Sequence, residues 1–321
     1  MPKFITENSS EDQIDRRGFL ECMAWAGTGV IFSVAGGILS SRMLSSPAEA
    51  AEAASSASFN FVQISDSHIG FHKPANPDVA GTFRETIARI NALKTAPDFI
   101  LHTGDLTQLA DAKEFDDLQQ LLRDSKTKQV FYVPGEHDIL SDNGAQYLER
   151  FGKGTQGTGY YSFDQKGVHF IGLVNVATVK EGGLGVLGAE QLDWLQKDLA
   201  SVSKSTPIVV FAHIPLWTVY EQWGWGTDDS ARALEMLRPY GSVTVLNGHI
   251  HQAMQKIEGN ITFHTARSTA FPQPAPGTAP KAGPMAVPAE QLRNFLGLTS
   301  VSYVETGHSL AIVDPTLASR R

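Results

Sequence analysis

One cysteine, Cys22, stands in 321 residues, so the chain can close no internal disulfide and cannot build a sulfur-rich structural zinc site. Cations are scarce as well. Lys and Arg number 26 against 34 Asp and Glu, for a net charge of −8, and they form no basic run. Duplex nucleic acid is therefore an unlikely partner, since its backbone demands a positive surface. No internal repeat is present. The one long uncharged run, residues 22–41, is broken by Gly and Ser and is poorly apolar for a membrane span. What remains is ordinary: 42% hydrophobic and 19% charged residues, enough to bury the core of one large or two small domains.

The N-terminal fifty residues read as separate from that globule. Arg16-Arg17-Gly18-Phe19-Leu20 precedes the uncharged run, and Ala48-Glu49-Ala50 follows it as a small-residue cleavage site. The arrangement resembles a twin-arginine (Tat) export signal, residues 1–50, with an uncleaved membrane anchor as the alternative. Cys22 opens the run rather than closing it, which rejects a lipoprotein reading. Removing 1–50 leaves 22 basic and 28 acidic residues, a net charge of −6, and no cysteine. Localisation would be periplasmic and the Tat machinery a partner, a route suited to a protein that folds and takes up metal before export. Residues 51–58, rich in Ala and Ser, read as a linker.

From residue 59 to about 315 the pattern is one domain. Strand-like runs at 59–64, 98–101, 129–132, 207–212 and 242–246 alternate with helical spacing at 78–94, 112–122, 189–200 and 230–237. Runs at 159–163 and 168–174 read as an antiparallel pair, and short strands follow at 253–257, 261–265, 301–304 and 310–313. Residues 271–288 are rich in Pro, Ala and Gly and read as a long loop. The alternation predicts a layered α/β domain whose ligand sits beyond the carboxyl ends of the strands.

Five polar clusters fall at just those ends: Asp66-x-His68, Gly104-Asp105, Gly135-Glu136-His137-Asp138, His213 and Gly248-His249-x-His251. Carboxylate and imidazole without thiolate suit Mn, Fe, Zn or Ni better than calcium. The D-x-H and H-x-H spacings place both members on one side of an extended segment. Seven or eight ligands exceed one ion's needs; two ions about 3.5–4 Å apart, sharing a carboxylate, would use them.

This ordered set resembles the calcineurin-like metallophosphoesterase superfamily, whose pattern is D-x-H, G-D, G-N-H-[D/E], H, G-H-x-H. The resemblance covers residues 59 to about 265 and implies a four-layer α/β/β/α sandwich with a dinuclear centre of divalent or mixed-valence ions. It further implies that Asp66, His68 and His251 hold one ion, that Asp105 bridges, and that His213 and His249 hold the other. His137 would assist the leaving group, with Asp138 orienting its ring. The implied reaction is attack of a metal-bridging hydroxide on the phosphorus of a small-molecule phosphate ester. The Asp105-Leu106-Thr107 context is most similar to the bacterial cyclic-nucleotide phosphodiesterase-like branch. Two alternatives stay open: a phosphomonoesterase acting on nucleotides or sugar phosphates, and a catalytically weak metal- or phosphate-binding protein.

The second alternative rests on one departure, because Glu136 stands where the family has Asn. As a ligand, Glu136 would add a third carboxylate and favour a higher-valent ion. A second departure is Gln108, at the position where purple acid phosphatases carry the tyrosine that binds iron. Of the remaining residues, Trp217 and Trp223 in the aromatic stretch 217–225 are candidates for a substrate-facing wall, and His72 for a contact to an anionic substrate. His102 reads as a support behind the ligands, and His169 and His308 as surface or strand-edge residues. His264 is a candidate neighbour of the site. The sequence sets no oligomeric state.

Overall fold

Strand β3 (Phe59–Ile64) shows how the molecule is layered. Phe59 and Phe61 face one way and Val62 and Ile64 the other, and all four are buried. A strand covered on both faces reads as a near-continuous apolar run rather than an alternating one. The computed structural model describes residues 30–35, 38–43, 59–179, 183–304 and 309–319. Two sheets lie face to face with helices outside each, a four-layer α/β/β/α sandwich in a single domain.

In the first sheet, β3 pairs in parallel with β4 (Phe99–His102), and β4 with β5 (Val130–Tyr132). On its other side β12 (Thr299–Val304) runs antiparallel and carries β13 (Ser309–Val313). The hairpin β1 (Val30–Ala35) and β2 (Ile38–Met43) extends this edge through β1 and β13. These two strands come from the stretch read as an export signal, and the order β13-β12-β3-β4-β5 needs neither of them. The twin arginines, the cleavage site at Ala50, the 51–58 linker and His308 lie outside the described residues.

The second sheet has the order β10-β11-β9-β8-β7-β6. Its strands are β6 (Tyr161–Gln165), β7 (Val168–Gly172), β8 (Ile208–Phe211), β9 (Val243–Asn247), β10 (Met254–Glu258) and β11 (Ile261–Thr265). Strands β7, β8, β9 and β11 are mutually parallel, and the hairpin partners β6 and β10 close the two edges antiparallel. Between the sheets lies an aromatic layer: Phe61 stacks on Phe99 at 4.9 Å, and Phe170 meets Phe99 edge-on at 5.4 Å, geometries the ring quadrupole favours.

Helices α1 (Val79–Asn91), α2 (Ala112–Leu122) and α3 (Ala145–Phe151) cover the first sheet. Helices α4 (Ala189–Ala200) and α5 (Ser230–Leu237) cover the second. Phe83, Ile87 and Ile90 of α1 and Phe115, Leu118 and Leu122 of α2 enter one core with Ile64 and Ile100, the apolar stripe that a 3.6-residue period predicts. A short α6 (Leu292–Phe295) precedes β12. The α2 start is a capping box formed by Asp111 and Glu114.

His169 corrects the sequence reading. It is not a surface residue but is 5% exposed, with Nδ1 2.8 Å from Asp164 and Nε2 2.8 Å from Asp198. Burial alone would lower its pKa, yet the two carboxylates outweigh burial and raise it. A raised histidine stabilises fully below the unfolded value near pH 6.5 and loses that contribution as pH climbs through the folded value. His169→Gln is therefore expected to destabilise by roughly 1 kcal/mol more at about pH 6 than at about pH 9. Urea unfolding at both pH values reads this difference, and an equal loss at both would contradict it.

Candidate metal centre

The carboxyl ends of β3, β4, β5, β8 and β9 meet where the two sheets are stitched together. Gln63 Nε2 donates to Thr103 Oγ1 and to the Asn247 carbonyl, each at 3.0 Å, crossing from one sheet to the other. The loops beyond run side by side: Asp66 N donates to Gly104 O at 3.0 Å, and His68 N to Asp105 O at 3.0 Å. Asp66, His68, Asp105, His249 and His251 all have φ between 42° and 71°, five of the eight non-glycine residues in the left-handed region among the described residues. Side chains pay about 1–2 kcal/mol per residue for that conformation, so strain is concentrated at this site. It also corrects the expected geometry. D-x-H and H-x-H converge through left-handed turns, not through the alternation of an extended strand.

The convergence gathers every expected ligand. Asp66, His68 and His251 form one group of donor atoms; Glu136, His213 and His249 form a second; Asp105 faces both. Asp105 Oδ2 lies 3.4 Å from His68 Nε2 and 3.4 Å from His213 Nε2. Glu136 places Oε2 2.9 Å from His213 Nε2 and Oε1 2.9 Å from His249 Nδ1. Asp66 accepts from the His249 amide at 3.0 Å and stands 3.3 Å from His251 Nε2.

The residues fit cations. His251 Nδ1 donates to the Phe271 carbonyl and His213 Nδ1 to the Thr103 carbonyl, which fixes the tautomers and turns each Nε2 lone pair inward. His251 Nε2 then lies 3.2 Å from His68 Nε2. His213 Nε2 and Glu136 Oε2 are buried and close, yet neither finds hydrogen-bond geometry. Burial would lower the His213 pKa, but Asp105 and Glu136 outweigh it and raise the pKa well above its ordinary value, so the geometry calls for positive charge between these atoms, as a proton or as a bound cation. Burial drives His68 down to about 3 despite the nearby Asp105, keeping it neutral as a ligand must be. Burial would raise Asp66, but His251, His213 and His68 hold it well below the usual carboxylate range.

Residues 59–253 match the calcineurin-like phosphoesterase family. The chain belongs to that family. Calcineurin-like phosphoesterases bind divalent metals, and the two donor groups supply residues for them. A 3′,5′-cyclic-nucleotide phosphodiesterase of Nostoc sp. is 26% identical over 193 residues, 59% of this chain and 69% of that protein. Purple acid phosphatase 15 of Arabidopsis thaliana is 37% identical over 134 residues, 38% of this chain, which spans 24% of that longer protein. A dimetal phosphatase from Danio rerio shares the fold, with a TM-score of 0.57 at 16% identity over 82% of this chain and 98% of that one.

Around the candidate ligands of this calcineurin-like phosphoesterase, several expectations change. His137 sits beside His68, ring centroids 4.8 Å apart, but Asp138 does not orient it. The Asp138 carboxylate is spent on Leu106 N, Thr107 N, Thr107 Oγ1 and Gly135 N, at 2.8–3.0 Å. The His137 ring is instead held by the Gln108 carbonyl, 2.7 Å from Nδ1. Burial would lower the His137 pKa, but Asp105 and Glu136 together with that carbonyl raise it.

Neither tryptophan is a wall of the site. Trp217 packs on Phe263 at 5.1 Å, and Trp223, 7% exposed, packs on Trp225 within a cluster that includes Ile250. His72 is exposed and bonded to the Gly70 carbonyl, on a groove of about 440 Å³ whose lining includes no ligand. His264 pairs with Asp314 at 2.9 Å rather than joining the centre. His102 takes the supporting role expected, 2.9 Å from Ser67 Oγ.

Sequence reasoning missed Phe271, whose ring lies 4.7 Å from His68 and 4.8 Å from His251. It also missed the three carbonyl acceptors, which carry no side-chain signal. Glycine enters for space: a Cβ on Gly135 would stand 2.1 Å from Asp105 Oδ1 and 2.3 Å from Asp105 N. Gly135→Ala is accordingly expected to displace Asp105 and weaken metal binding by about 10–100-fold. Metal titration of the folded variant measures this; wild-type affinity would contradict it.

Proposed function

We propose that this phosphoesterase holds two ions and hydrolyses a phosphodiester, with His137 protonating the departing oxygen. The observation that carries this reading is the pair of donor groups sharing Asp105, with His137 at their margin. Asp66, His68, His251 and Asp105 would hold one ion, and Asp105, Glu136, His213 and His249 the other. Bound there, divalent ions would offset charge on phosphoryl oxygens and lower the pKa of water.

The chain's own residues do the rest. Donation from Nδ1 to the Gln108 carbonyl leaves His137 Nε2 to carry a proton to the leaving oxygen. Asp138 ties the Asp105–Thr107 loop to Gly135, so that Asp105 and Glu136 keep their relative places. Phe271 covers His68 and His251 and excludes water from that side. Glu136, its two oxygens aimed at two imidazoles, acts as a true ligand; three carboxylates then oppose the charge of the ions, which favours a mixed-valence pair. Glu136→Asn is expected to lower occupancy of the second ion about 10-fold or more. Equal metal content in the variant would show the carboxylate to be immaterial.

Diester preference is supported by charge. Residues 65–68, 103–111, 133–145, 212–229 and 247–253 contain no Lys or Arg, so the loops that carry the candidate ligands offer no side-chain clamp of the kind that usually holds a monoester dianion. The named activity of the Nostoc relative points the same way. With metal restored, kcat/KM for bis(p-nitrophenyl) phosphate is expected to exceed that for p-nitrophenyl phosphate about tenfold or more. The reverse order would favour the phosphomonoesterase reading. Export is proposed from Arg16-Arg17 and the run after it: replacing both arginines by lysine is expected to hold the protein in the cytoplasm, and undiminished periplasmic protein would contradict this.

A further inference from the structure

Large apolar side chains standing in water are rare among the described residues, and two of them stand in the two loops that hold His137. Among the described residues, Leu109 is 53% exposed, Leu140 is 59% exposed, and the third, Ile257 on edge strand β10, is 46% exposed. Leu109 follows Gln108, whose carbonyl holds the His137 ring. Leu140 caps the 3₁₀ turn Glu136–Ile139 that carries His137. The two loops are tied on either side of the leucines, by Gln108 O to His137 Nδ1 at 2.7 Å and by Ser141 Oγ to Ala110 O at 2.9 Å.

This exposure is held in place. Glu114 Oε2 accepts from Leu109 N at 2.7 Å and from Gln108 N at 3.1 Å. Ala110 next to it is fixed in the left-handed region at φ 59°, a conformation alanine adopts only when its surroundings impose it. A surface leucine needs none of this to be tolerated. Leu109, rigidly presented, and Leu140, tied alongside through Ser141, stand in the two loops that hold the proton donor and form an apolar platform, the usual lining of a site that sorts substrates by shape and polarity.

Charge narrows the occupant further. The two loops, residues 103–111 and 133–145, hold no Lys or Arg, and outside the candidate centre they add the acidic Asp111 and Asp142. A leaving group carrying its own phosphate would find no side-chain cation there beyond His137 itself, so the complement is uncharged and partly apolar.

We propose that Leu109 and Leu140 form an apolar lip that receives the leaving group of the ester, selecting uncharged groups with an aromatic or other apolar face, such as an aryl alcohol or a nucleoside. The proposal rests on His137 being at the leaving-group side, as stated under the function above. Specificity for the leaving group is set by these two side chains and not by the tryptophans at 217 and 223, which are turned into other packing.

The test is binding, which does not depend on turnover. Phenylphosphonate and methylphosphonate share their charged head and differ in the apolar part alone. On the metal-loaded protein, calorimetry is expected to give phenylphosphonate at least about tenfold tighter binding than methylphosphonate, as burying a ring face implies. In the double variant Leu109→Ser/Leu140→Ser that ratio is expected to fall to about one, while the metal content stays at the wild-type value; both side chains stand in water, so their replacement leaves the core intact. A wild-type ratio near one, a ratio unchanged by the double substitution, or no binding of either phosphonate would overturn the proposal. So would self-association of the wild type that the double substitution abolishes, since the lip would then belong to a second copy of the chain. A protein that binds both phosphonates in the expected ratio but cleaves no diester would refute the phosphodiesterase reading and leave the lip standing.

Discussion

Asp105→Asn is expected to reduce phosphodiester turnover by about 10³-fold or more, because in the proposed two-ion centre one carboxylate would serve both ions. The residue is 2% exposed, and Oδ2 is equidistant, at 3.4 Å, from His68 and His213 of the two donor groups. Oδ1 also accepts from the His137 amide at 3.0 Å. Asparagine keeps the shape and one acceptor oxygen but removes the charge, so the backbone of the loop survives while the shared ligand is lost. Bound metal is expected to fall from about two ions per chain to one or fewer. Metal analysis alongside steady-state kinetics reads both effects. Loss of activity with full metal content would place the role of Asp105 in positioning His137, not in bridging.

His137→Ala is expected to lower kcat by about 10²–10⁴-fold, the range for removing a positioned proton donor. Metal content should hold, because Asp66, His68 and His251 on one side and Glu136, His213 and His249 on the other form complete groups without it. The loss should also depend on the leaving group. An alkoxide needs its proton in the transition state more than p-nitrophenolate does, so alkyl diesters are expected to suffer more than aryl ones. A uniform loss across leaving groups would assign His137 to holding the phosphoryl oxygens instead.

Much of this site was legible in the sequence because it is written in side chains at strand ends. Asp66, His68, Asp105, Glu136, His213, His249 and His251 all stand at the ends of apolar runs, with a glycine directly before Asp105, Glu136 and His249, and the sheets carry them to one place. The layered α/β class was legible in the alternation of strand-like and helical runs, while the four-layer sandwich came only with the family resemblance; Phe61 and Phe99 on one face and Ile64 and Ile100 on the other show strands covered on both sides. The reason for the D-x-H and H-x-H spacing was not legible. Left-handed φ at Asp66, His68, His249 and His251 is imposed by neighbouring loops, against the residues' own preference.

Backbone carbonyls were likewise invisible. Gln108, Thr103 and Phe271 orient three imidazoles through main-chain oxygens that any residue could supply. The Asp138 role that the family resemblance implies therefore does not hold here: the partner of the His137 ring is a carbonyl, which no side-chain motif reports. The tryptophans misled for a different reason: three within nine residues and without periodicity resemble a ligand wall, but Trp223 and Trp225 cluster with Ile250, the residue between His249 and His251. Their burial steadies the loop that carries two candidate ligands. His169 shows the limit of reading polarity as exposure, because its two aspartate partners arrive from β6 and α4, 5 and 29 residues away.

The central claim is that two ions sharing Asp105 make this chain a phosphodiesterase. Its most direct measurement is a metal titration of the stripped wild-type protein with Mn, Fe, Zn or Ni in parallel, following bis(p-nitrophenyl) phosphate cleavage against bound metal counted per chain. The account predicts no turnover without metal and a rise that saturates at about two ions per chain. Turnover by the metal-free protein, saturation at a single ion, or full occupancy with no cleavage under any of the four metals would contradict it.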